Sequence, residues 1–184
     1  MPLEQSLPTL STILSRLLDI DADLERFYED LKASNDGSLF WEDPASSTRE
    51  ANPQPNLHFP SVRTASLLTL HWATAAMVWS ALEGIHSGLA QSSALSLLPP
   101  NPRTARFLAI APSRHWLAKT RDILRSVKYC MEATAGSSTP PGIGVALEIV
   151  IDVMRQKEGC EAELEEARRA KEEMGRRWVA IMLS

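Results

Sequence analysis

Between Thr64 and Leu82 the chain carries no charged residue. A surface helix shows one apolar stripe and one charged face. This run is apolar or small nearly all round, with Trp72 and Trp79 a heptad apart. It predicts either the central helix of a helical domain or a membrane span. The run is near the minimum length for a span. It also holds Thr64, Ser66, Thr69, His71, Thr74 and Ser80, and polar groups are costly at bilayer depth. Its flanks are Arg63 and Glu83, with no basic cluster to set an orientation. The core helix is therefore the expectation, with no membrane partner.

The remaining composition narrows the class. A chain of 184 residues with 44% hydrophobic residues can build one domain with a real core. A net charge of −4 argues against a chain whose main task is coating nucleic acid. Two cysteines, Cys130 and Cys160, supply no disulfide framework, which fits a reducing compartment. The N-terminal segment lacks the basic and apolar regions of a secretory signal, so secretion is not expected.

Periodicity predicts an all-α fold of about five helices in an irregular bundle, with two long Pro/Ser-rich loops. Leu10, Ile13, Leu14, Leu17, Leu18, Leu24, Phe27 and Leu31 trace a helix over about 9–34. Thr9 or Ser11 is the expected cap, and Asn35-Asp36-Gly37 the stop. A connector follows over 35–61, in which Leu39-Phe40-Trp41 is expected to tuck against the core. The second helix covers about 62–89, with Pro60 just ahead of it. A second connector spans 90–112 and carries Pro99, Pro100 and Pro102. The third helix covers about 113–133. A fourth apolar segment, about 142–157, is rich in β-branched residues, so a strand is conceivable, but Pro141 and its length favour a buried helix. The last helix, about 160–183, places Glu161 and Glu163 early and Arg176 and Arg177 late, in accord with the helix dipole. Its expected inner stripe is Leu164, Ala167, Met174, Trp178 and Ile181-Met182, interrupted by Lys171.

Four segments, taken in order, carry a family resemblance. Phe59-Pro60-Ser61-Val62-Arg63-Thr64-Ala65 leads into the Trp72/Trp79 helix, with His71 where the pattern usually has tyrosine. Upstream stands Leu17-Leu18-Asp19 through Leu24 with Phe27-Tyr28 and Leu39-Phe40-Trp41. Downstream stand Ile123 through Cys130, and then Pro141-Gly142-Ile143-Gly144 into Leu147 through Asp152 and Gly159 through Leu164. Together they resemble the C-terminal half of the fungus-specific regulatory domain of binuclear zinc-cluster transcription factors. The resemblance implies a single regulatory domain, nuclear localisation (cytoplasmic as the alternative), and protein partners or self-association. The cluster of that family needs six cysteines; this sequence has two, with no Cys-x-x-Cys. Its zinc, and direct DNA binding, are accordingly not expected.

Candidate chemistry is sparse. His71-Trp72 and His115-Trp116 form a repeated dipeptide, but a histidine acts as a base only beside a nucleophile or substrate, and none is signalled. His71 reads as a core histidine with one hydrogen-bonded nitrogen. No phosphate loop and no Gly-x-Ser-x-Gly occurs. The reading is of a non-enzyme without a cofactor. His71, Trp72, Trp79, Trp116 and Tyr129 are the residues of a candidate pocket or of the core. A pocket near Trp72 and Trp79 would make the chain a small helical ligand-binding protein or enzyme, or admit a small-molecule effector. Arg114, Arg121, Arg125 and Lys128 share one helical face, a candidate basic contact surface. The alternatives for these bases are a solvated face or pairing with the acidic first helix.

Overall fold

The helix that dominates the sequence also dominates the structure. The computed structural model describes residues 3–35, 37–42, 55–113, 115–132 and 141–182, without the side chains of 3–7, 141 and 178–182. Among them the elements run α1 (Leu3–Ala33), β1 (Trp41–Glu42), β2 (Leu57–His58), α2 (Val62–Gln91), a 3-10 turn (Ala94–Leu97), α3 (Pro102–Ile110), α4 (Trp116–Glu132), α5 (Pro141–Met154) and α6 (Glu161–Met182). The fold is all-α, as expected.

Local chemistry explains where α2 begins and what it meets. Ser61 caps it, its hydroxyl accepting from the Thr64 amide at 3.0 Å. Ala65, Leu68, Trp72, Ala73 and Ala76 then face the larger core, with Ile123 and Val127 of α4, Ile143, Leu147 and Ile151 of α5 and Ala167 of α6. Alanines on this side let neighbouring helices approach closely. The approach is tightest at Gly142, where a Cβ would stand 3.1 Å from the Ser66 carbonyl oxygen. Trp72 is 1% exposed. Burying a side chain of that size contributes about 3 kcal/mol.

A second, smaller core joins α1 to the C-terminal half of α2 and to α3. It holds Leu14, Leu18, Val78, Leu82, Leu89, Phe107 and Ala111. Trp79 packs on both cores.

Several expectations are corrected. α1 starts at Leu3 rather than near residue 9 and runs through Pro8. Only about one turn of helix precedes that proline, so the bond it removes disturbs little. The Thr12 hydroxyl donates to the Pro8 carbonyl at 3.0 Å. The stop falls where expected, with Asn35 Nδ2 donating to Leu31 O at 2.6 Å and Ser34 Oγ to Asp30 O at 2.8 Å.

The stretch 90–112 is not a simple connector. It contains the 3-10 turn and a sixth helix, α3. Pro102, placed in the connector by the sequence, is instead the first residue of that helix, where its missing N–H costs nothing. Asn101 caps it, accepting from the Thr104 amide at 2.9 Å.

The connector 35–61 forms a two-residue antiparallel pair, Trp41 opposite His58 and Glu42 opposite Leu57. Leu39 and Phe40 do tuck inward, Phe40 meeting Trp72 edge-on at 5.5 Å. Trp41 does not; it is 50% exposed and stacks on His58 at 6.2 Å. Period-two alternation in the pair sends successive side chains to opposite faces.

The fourth segment is a helix, α5, ending at Met154. Ile143, Ala146, Leu147, Val150, Ile151 and Met154 are sealed, and its exposed side carries Val145, Glu148 and Asp152. Burial nearly all round outweighs the β-branched preference. The turn to α6 passes through Gly159 at φ +77°, a backbone position other residues resist. In α6, Ala167 and Met174 face inward, whereas Lys171 is exposed and pairs with Glu148. The side chains of Trp178, Ile181 and Met182 lie outside the described ones.

Candidate functional site

Two tryptophans anchor the polar interior in the same way. Trp79 donates its indole N–H to Asp21 Oδ1 at 2.8 Å, and the Lys119 ammonium lies 6.0 Å from its ring centroid. Trp116 donates to Glu83 Oε2 at 3.0 Å, and Lys157 lies 5.7 Å from its ring. Lys157 also donates to that Glu83 oxygen at 2.7 Å. A buried indole needs an acceptor, and an ammonium is attracted to the face of its ring. The two arrangements differ in burial: Asp21 is 0% exposed, whereas the Glu83 side chain is 44% exposed.

Lys119 extends the first arrangement. Its ammonium is also 5.9 Å from the Trp72 centroid, so one cation serves two rings a heptad apart on α2. It lies 3.7 Å from Asp122. Burial pushes the Asp122 carboxyl above its usual range, against the pull of Lys119 and Arg125.

His71 sits at the margin of this group. Its ring stacks on Phe27 at 5.7 Å and on Tyr28 at 5.6 Å, both of α1. Its Nδ1 is buried and has no hydrogen-bond partner. Burial, and then the nearby Lys119 charge, lower its pKa to about 4. The imidazole is therefore neutral at neutral pH. No bond joins Nδ1 to a hydroxyl or thiol that it could activate.

The structure thus brings Trp72, Trp79 and His71 around Lys119, and separates them from the other candidates. Trp116 belongs to the Glu83–Lys157 group. Tyr129 meets Phe59 at 5.2 Å and His58 at 5.7 Å, on the strand-pair side of the core. Burial, with Cys130 alongside, raises the Tyr129 pKa. His115 is exposed. Trp72 is enclosed by Phe40 and Phe59 and fills the core.

The candidate basic face is largely committed to internal pairs. Arg121 reaches Glu163 Oε1 through Nε at 3.0 Å and Nη2 at 2.7 Å. That bond holds the Glu163 carboxyl below its usual range. Arg125 donates to the Pro55 carbonyl at 2.7 Å and pairs with Glu42 and Asp122. Lys128 is exposed, and Arg114 lies outside the described residues. Pairing with the acidic first helix does occur, but through α3: Arg103 meets Asp19 at 3.4 Å, and Arg106 meets Asp21 at 3.1 Å and Glu25 at 3.3 Å.

Sequence reasoning missed Asp21, Glu83, Lys119 and Lys157. Asp21 had a signal: it falls three residues after Leu18 and seven after Leu14, inside the apolar stripe of α1. The others had none, since a Trp advertises the need for an acceptor without naming it. Cys130 and Cys160 are both buried thiols. Among the described residues, no group of three or more His, Cys, Asp or Glu is placed to hold a metal ion. By length and composition α2 could cross a membrane, and half of its most apolar window is buried in the fold.

No family model, no curated protein and no solved structure matches this chain.

Proposed function

We propose that this chain is a non-catalytic protein-interaction module of transcription-regulatory type. It is akin to the part of the fungal zinc-cluster regulators that it resembles, and these 184 residues hold two of the six cysteines a DNA-reading cluster needs. The observation that carries this reading is a side of α2 that is partly uncovered and widens towards its C-terminal half. Leu70, Thr74, Met77, Ala81, Gly84 and Gly88 follow three- and four-residue spacing on that side. Met77 is 47% exposed, Gly84 and Gly88 are exposed, and none of the six is charged. An uncharged helix side at the centre of a domain is a surface that a partner, or a second copy, can cover. The commitment of Arg103, Arg106, Arg121 and Arg125 to acidic partners within the fold supports a protein rather than a nucleic-acid partner. Nuclear localisation follows from the resemblance.

Fusion to an unrelated DNA-binding module tests the reading. Reporter output should change, and Met77→Lys should reduce that change without lowering the melting temperature. Sedimentation should show concentration-dependent association or capture of a protein partner. A silent fusion, together with a monomer that binds no exposed-hydrophobe dye, overturns the proposal.

One observation favours a second reading, a ligand site near Trp72 and Trp79: the partnerless Nδ1 of His71 close to Lys119. Replacing His71 with alanine should then abolish ligand-dependent melting shifts, whereas replacing His115 and Tyr129, which lie away from this group, should not. Unchanged shifts in the His71→Ala chain would eliminate it.

A further inference from the structure

The two cores are joined by one bridging ring, and the charges around that ring tie α1 to α3. In the smaller core, Leu14 and Leu18 come from α1, Val78, Leu82 and Leu89 from α2, and Phe107 from α3. None of these belongs to the larger core, and Trp79 packs against both. Arg103 and Arg106 of α3 reach Asp19, Asp21 and Glu25 of α1. Of the three carboxylates, Asp21 alone is sealed from water. Its donors include the α3 guanidinium and the α2 indole.

Such a carboxylate holds its place while its donors surround it. Take one donor away in the closed state and a buried charge is left under-satisfied. Move the whole of α1 away and the same charge is solvated by water. The polar centre therefore penalises half-docked arrangements and makes docking all-or-none. Among the described side chains outside the smaller core, Phe27 and Tyr28 of α1 meet His71 of α2 by stacking, with no hydrogen bond at Nδ1. Near its C-terminal end, Tyr28 and Leu31 touch the margin of the larger core.

Discontinuous cores open as separate cooperative units. We infer that α1 and α3 come away from α2 and from each other in one cooperative step while the larger core stays folded. Asp21 is the latch, and the Tyr28–Leu31 end of α1 is the hinge. This is a conformational device built into the fold, and it does not depend on the function proposed above.

Native-state hydrogen exchange on the full chain, followed by peptide across low denaturant concentrations, tests it. Amides of α1 and α3 should exchange together, through an opening with little denaturant dependence, at least ~10-fold faster than those of α5. Asp21→Asn should speed α1 and α3 by a further ~10-fold or more, as expected for a weakened buried ion pair, and leave α5 unchanged. The triple variant Asp21→Leu, Arg106→Met and Trp79→Phe, which removes the carboxylate together with the guanidinium and the indole that donate to it, should restore slow exchange in α1 and α3. One common rate and denaturant dependence for α1, α3 and α5 in the unsubstituted chain overturns the inference, whether or not the variants fold. So does an Asp21→Asn protein whose α1 and α3 exchange as before.

Discussion

Trp79 and Asp21 stand 58 positions apart in sequence and meet through a 2.8 Å hydrogen bond from the indole nitrogen to a fully buried carboxylate. Trp116 makes the same kind of bond to Glu83, whose side chain is 44% exposed. The pair is a built-in control on the worth of burial.

Trp79→Phe keeps most of the ring and removes the donor. The sealed Asp21 then loses a partner, and stability should fall by about 1–3 kcal/mol. Trp116→Phe removes the equivalent donor from a carboxylate that water can reach, and the polar loss there should stay below about 1 kcal/mol. Urea titration of the two variants measures the difference. Equal losses would show that burial of the acceptor is not what matters.

The glycine packed against α2 and the two glycines within it should respond oppositely to alanine. At Gly142 the added Cβ meets the Ser66 backbone at 3.1–3.3 Å, so α5 must back away from α2. The cost should be about 1–3 kcal/mol. At Gly84 and Gly88 the added Cβ meets nothing within 4 Å. There the helix gains about 0.5–1 kcal/mol per site. Thermal melts of the three variants check both signs.

His71 makes stability depend on pH. Its folded pKa is about 4, below the unfolded value of 6.5. The unfolded chain therefore binds more protons between those values, and the stabilising term present above pH 6.5 is lost as pH falls towards 4. For a ring only partly shielded from solvent the loss should be about 2 kcal/mol. Asp122, whose folded pKa is raised, acts in the opposite direction, regaining stability as pH falls through that raised folded value. Comparing the chain with His71→Gln at pH 7 and pH 5 isolates the histidine. An identical slope in both proteins would refute the assignment.

Both thiols should be inert in the folded state. Burial pushes the Cys130 pKa up to about 12 and raises that of Cys160, whose Sγ lies 3.5 Å from the Met154 carbonyl oxygen. Only the thiolate reacts, so labelling by a disulfide reagent at pH 8 should follow unfolding. Fast labelling of native protein at either position would contradict this placement.

The sequence carried the helices whose apolar spacing is regular and long. The Thr64–Leu82 run, the Leu10–Leu31 stripe and the charge gradient of the last helix all led to helices that the structure contains. What it hid has physical reasons. Pro102 stops a helix or starts one according to whether a cap precedes it, and Asn101 decided for a start. Trp41 sits in the most apolar tripeptide of its connector, yet the strand pair turns it outward. Within the candidate site, Trp72 and Trp79 were legible because large rings seven residues apart on an uncharged helix must face the interior. Lys119 and Glu83 were not, because a charged residue on a helix normally points to water and only the arrival of another helix gives it a ring or an indole to meet.

The pairing of Glu42 with Leu57 has a consequence for how the chain can vary. It draws together the two ends of the segment between them. The two strands hold this register at both pairs, so one residue added within the pair would shift Trp41 off His58, just as one residue added inside α2 would turn Trp79 away from Asp21.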